Sequence, residues 1–263
     1  MSEFTNDAAT AARARAAARA LIDLGDRIAA QHKGGLAVET VHVAVAPAAW
    51  SWWRLITDSA RIVLEMEERG YGVVAAPVMR NLINHTLALQ WLVDGGETAL
   101  KALDDYSDKQ LLQLIEDAVA NNWSVDEPTA EALRAAIAER AADPAVAKFS
   151  KEIGSPKGLM KAYGAQALYV LYRLLCAYSH TTRATAQAYQ HLDGEHDPEL
   201  RETPVDLGDG NVIWTAVCLI QAGRVMDTVL AGQPLTATLD EATTLMGLPE
   251  AILPGRVAIA PGR

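Results

Sequence analysis

"VMRNLINHTLALQWLV", residues 78–93, decides how the rest of the chain is read. After Arg80 it carries no fixed charge, and Val78, Leu82, Ile83, Leu87, Leu89, Trp91 and Leu92 cover most of the circumference of a helix with 3.6 residues per turn. Such a helix belongs at the centre of a fold. Its first half nevertheless holds Arg80, Asn81, Asn84 and His85, groups that are costly to bury without partners. They either hold a core together or form a site.

Outward from this stretch the chain reads as helix after helix. Half of its 263 residues are hydrophobic, much of that alanine and leucine, with only two phenylalanines. Alanine and leucine lead the helix scale, which favours an all-α fold. Upstream, 7–31 is alanine-rich with Leu21, Leu24 and Ile28 on one stripe, and 48–69 is a second clear helix closed by Gly70. The central helix is expected over 73–94 with "DGG" as its terminator. Two amphipathic surface helices follow at 98–121 and 129–142, the second behind the capping sequence "SVDEPTAEAL".

A second apolar helix is expected over 162–189 and placed beside the first at the centre; a final buried helix follows at 212–230 and a short last one in "DEATTLMGL". The segment 38–45 alternates valines like a strand but has no evident partner strand. The expectation is a single bundle-like helical domain, 1–250, of seven to nine helices around two buried central ones, with 251–263 as a loose tail.

Net charge of −10 argues against a broad nucleic-acid or anionic-membrane surface, though not against a small basic pocket. Cys176 and Cys218 each sit in an apolar run and read as reduced core thiols. The first residues include Glu3 and Asp7 without an apolar signal core, and no uncharged apolar segment has membrane-spanning length, so a cytoplasmic location is expected.

Phosphate-cradling glycine loops, GxSxG and HExxH are missing, and no cofactor is expected. "HLDGEHD", residues 191–197, gathers His, Asp and Glu but has glycine and proline at the wrong places for a calcium loop, so no metal site is assigned. Trp50, Trp52 and Trp53 read as packing residues. The polar groups of interest are the set on 73–94 and a second set, Tyr172, Cys176, Ser179, His180 and Arg183, four of which share a stripe by helical spacing.

"RNLINH" resembles the Arg-Asn-x-x-x-His motif of the HEPN ribonucleases, which cleave RNA without a metal, usually across a dimer, in stress and defence systems. The resemblance implies Arg80 on the phosphate, Asn81 in support and His85 in proton transfer. These types suit the roles: guanidinium offers phosphate a bidentate fork, and imidazole titrates near neutrality. A second resemblance covers more of the chain, about residues 50–230. The arginine-opened helix ending "WLVDGG", followed by "YRLLCAYSHTT", is similar to a bacterial family of helical proteins of unknown function. That family more often places glutamate where Asn84 stands, and it implies a fold without an activity.

Three readings stand. Arg80, Asn84, Ser179 and His180 could form an internal hydrogen-bond network between two helices. Arg80, Asn81 and His85 could cleave RNA, with a homodimer as the implied assembly. Or a small molecule could sit between helices, walled by Trp91, Tyr172 and Tyr178 beside Asn84, Ser179, His180 and Arg183.

Overall fold

The structure is a computed structural model and describes residues 7–31, 35–124, 127–191 and 199–249. Among them lie ten α-helical segments: α1 (Ala8–Gln31), α2 (Ala46–Glu68), α3 (Gly72–Ala120), α4 (Glu127–Ala141), α5 (Pro144–Ile153), α6 (Pro156–Ala162), α7 (Leu168–Ser179), α8 (Arg183–Ala186), α9 (Gly210–Val229) and α10 (Thr236–Met246). The all-α expectation holds. The one additional segment beyond the expected seven to nine comes from single-turn pieces such as α8.

Helix α1 starts where the Asp7 carboxylate accepts from the Thr10 backbone N–H at 2.7 Å, satisfying one of the free donors of the first turn. Its small buried residues, Ala11, Ala14, Ala18 and Gly25, recur every three to seven positions and let neighbouring helices approach. Helices α1, α2, the first arm of α3 and α9 pack against one another as the core, with α10 over α1 and α5 against α3. Trp53 is fully buried among them, its ring beside Gly25 of α1 and Gly223 of α9. A Cβ at Gly223 would lie 2.7 Å from the Leu239 side chain of α10, which would have to shift to admit it.

The decisive stretch lies in the first arm of α3. The helix continues to Ala120, but Gly96 adopts φ 55° and ψ −138°, a conformation open to glycine, and bends the rod at the expected terminator. The second arm therefore turns away, and its outer face is exposed at Leu111 and Leu114.

Two expectations need correction. Residues 162–189 do not form one buried helix: Gly164 (φ 64°) and the extended His180 (ψ 166°) divide the run into α6, α7 and α8. α7 does pack on α3, but only its Leu175 is buried, while Val170 and Leu174 face solvent. The second central helix is α9, sixteen of whose twenty residues are buried. α9 is also long and apolar enough to cross a membrane by length and composition, yet 83% of its apolar window is buried inside this fold.

The segment 38–45 forms a single antiparallel bridge, Val38 to Leu230, and then a 3-10 turn at Thr40–His42; Val41 and Val43 are exposed. The only other extended pairing among the described residues joins Gln190–His191 to Glu199–Leu200. The His/Asp/Glu run after His191, the start of the "SVDEPTAEAL" cap and the 251–263 tail lie outside the described residues.

Candidate functional site

The polar groups of α3 form a continuous arc. With 100° per residue, Asn84 stands about 40°, Asn81 about 100° and His85 about 140° round the helix from Arg80. The arc lies on the outer side of the arm: Asn81 is exposed, and Arg80, Asn84 and His85 are half-buried, whereas Met79, Leu82, Ile83 and Leu87 are buried.

Each edge of the arc meets a different helix. At one, Arg80 Nη1 lies 3.1 Å from His180 Nε2 at the end of α7. A guanidinium can only donate, so this nitrogen of His180 accepts and its ring is neutral in the bond. The guanidinium carbon also stands 6.0 Å from the centroid of the Tyr172 ring, which is itself stacked on Tyr169. At the other edge the His85 ring meets Trp52 of α2, with centroids 6.5 Å apart. His85 Nδ1 donates to the Asn81 carbonyl at 2.8 Å, which leaves Nε2 as the ring's acceptor. Burial holds the His85 pKa below the ordinary histidine value, and the bond to the Asn81 carbonyl offsets part of that, so the ring is neutral at pH 7.

Two buried polar atoms in the arc have no protein partner among the described residues: Arg80 Nε and Asn84 Oδ1. Arg80 also has no carboxylate within ion-pair distance among those residues, although acids outnumber Lys and Arg by 33 to 23 in the chain. A fixed cation without a counter-ion among the described residues, on one arc with amides and a neutral imidazole, is suited to bind an anionic group and accept a proton near it.

The remaining expected site residues are dispersed. Trp91 is fully buried against Phe149 of α5, ring centroids 5.6 Å apart, and stands about 16 Å along the helix axis from Arg80. It is a core residue and does not wall a pocket with Tyr172. Ser179 donates to the Leu175 carbonyl one turn back, and Tyr178 is half-buried against the core. Arg183 lies beyond the break at His180 and donates to Gln187 at 3.2 Å, so the stripe it was to share with Tyr172 and Cys176 does not continue. Trp52 is the neighbour that sequence reading assigned to packing alone; nothing local in the sequence links it to His85.

A family model described as "Family of unknown function (DUF5677)" matches residues 49–199, a span that holds the whole arc together with α2 and α7 and leaves out α1, α9 and α10. No curated protein and no solved structure matches the chain.

Proposed function

The chain belongs to that family of unknown function, DUF5677, and we propose that it is a metal-independent ribonuclease of the HEPN kind, cytoplasmic and acting as a homodimer. One observation carries the reading: Arg80, Asn84, Asn81 and His85 line the outer side of an otherwise core helix, with Arg80 uncompensated by any carboxylate among the described residues. Arg80 forks two oxygens of an RNA phosphate, and Asn81 and Asn84 contribute amide contacts. His85 Nε2 takes the proton from the ribose hydroxyl next to the scissile phosphate. The freed oxygen attacks phosphorus, the bond to the next nucleotide breaks, and a cyclic phosphate remains on the ribose. The departing oxygen takes up the proton that His85 received. His180 holds the guanidinium in place from α7.

The test is incubation of the full chain with a loop-containing RNA in EDTA, with analysis of the products for cyclic-phosphate ends. Wild type is expected to cleave, and His85→Ala and Arg80→Ala to lose at least about a hundredfold in rate. Wild type that leaves the RNA intact, or variants that cleave equally well, overturn the assignment. A second reading, a binding or interaction protein whose polar groups are structural, is favoured by the bond that ties α3 to α7 through Arg80 and His180. It requires Arg80→Ala to destabilise the fold.

A further inference from the structure

A separate cavity opens beside the arc. About 260 Å³ of space lies between α3, the α6–α7 turn and α9. It is partly open to solvent, a cleft that a small molecule can enter and not an enclosed packing void. Thr86 stands about 120° round α3 from Arg80, in the direction away from Asn81, so the cavity is not an extension of the polar arc.

Its lining is mostly apolar, with three features that select a ligand. Ala165 and Ala167 form one wall beside Gly164, and their short side chains keep the space open. Trp214 of α9 contributes an aromatic surface. Thr86 supplies a polar anchor: its hydroxyl donates to the Leu82 carbonyl at 2.9 Å and lies within hydrogen-bonding reach of the Cys218 thiol, which leaves an oxygen lone pair as an acceptor. The nearby Gln221 amide already donates to Gln90 at 2.9 Å.

The geometry points to a binding site for a compact, uncharged, planar apolar molecule carrying a single N–H or O–H donor, which stacks on Trp214 and donates to Thr86. No charged side chain among the described residues lines the cavity, so an ionised ligand would lose its hydration without compensation. A neutral ring system with one donor loses little and buries most of its surface.

Indole is the probe, with N-methylindole as its donor-less counterpart, titrated into the full chain by calorimetry. Wild type should bind indole saturably at one site, and about tenfold tighter than N-methylindole, the worth of one buried hydrogen bond. Thr86→Val should remove that preference and retain apolar binding. Ala167→Leu, a substitution at an exposed position that projects bulk into the cavity, should abolish binding without affecting the fold. Absence of saturable indole binding to wild type, equal affinity for the two probes, or unchanged binding in Ala167→Leu overturns the assignment. RNA cleavage plays no part in the measurement, so the two proposals fail separately.

Discussion

Arg80 and His180, a hundred residues apart in sequence, meet through a single 3.1 Å hydrogen bond that joins the most buried arm of α3 to the most exposed apolar helix, α7. The bond is accessible to solvent, and Arg80 also keeps a buried Nε without a partner among the described residues. Such a contact orients a guanidinium more than it holds a fold together.

Arg80→Ala is therefore expected to cost about 1 kcal/mol or less, the net worth of one exposed hydrogen bond, since it also removes an unsatisfied donor. Combined with His180→Ala in a double-mutant cycle, the coupling should be about 0.5–1 kcal/mol. Urea melts of the four proteins measure both. A loss of 3 kcal/mol or more in Arg80→Ala would assign the residue to the structure instead of the site.

Acid should weaken the fold through His85. Burial holds its folded pKa below the 6.5 of the free side chain, so below that pH the unfolded chain binds more protons than the folded one. The stability is fully present above pH 6.5 and falls away as pH drops through the folded value. His85→Gln, which cannot titrate, should show a smaller loss between pH 7.5 and pH 5.5 in urea melts. An identical loss would place the acid sensitivity elsewhere.

The two thiols should differ sharply in reactivity. Cys218 is buried and its pKa is pushed up to about 12, whereas Cys176 is half-buried on α7. Thiolate is the reactive species, so in the native chain a thiol reagent should modify Cys176 first and Cys218 much more slowly. Peptide mapping after a timed native labelling reads the order. Early modification of Cys218 would contradict it.

A buried amide pair ties the two central helices: Gln221 of α9 donates to Gln90 of α3 at 2.9 Å. Gln90→Leu should cost about 1–3 kcal/mol, because it leaves the Gln221 amide donor without that acceptor. Replacing both by leucine should recover most of the loss, since the Gln221 amide that lost this acceptor is then gone as well. A double variant weaker than the single one would show that the pair contributes net stability.

The arc was legible because helical periodicity is local. Arg80, Asn81, Asn84 and His85 occupy adjacent positions on any helix built from that stretch, whatever surrounds it. The break after "DGG" was equally readable, since only glycine takes the φ of Gly96 at low cost. The buried Gln90–Gln221 pair gave no such signal, because nothing near Gln90 in the sequence indicates a partner 131 residues away.

The sequence by itself determined the helical class, the positions of α1, α2 and the first arm of α3, and the angular order of the polar groups. Tertiary structure alone decided that α9, and not the apolar run around α7, lies at the centre, that α7 brings His180 to Arg80, and that α2 brings Trp52 to His85. The physical reason is that hydrophobic burial is non-directional: apolar composition marks a face as buriable without naming what covers it. Val170 and Leu174, apolar yet exposed on α7, show that limit. Helical spacing is fixed by the backbone over a few residues, whereas the choice among apolar faces is made only when every helix competes for the same core.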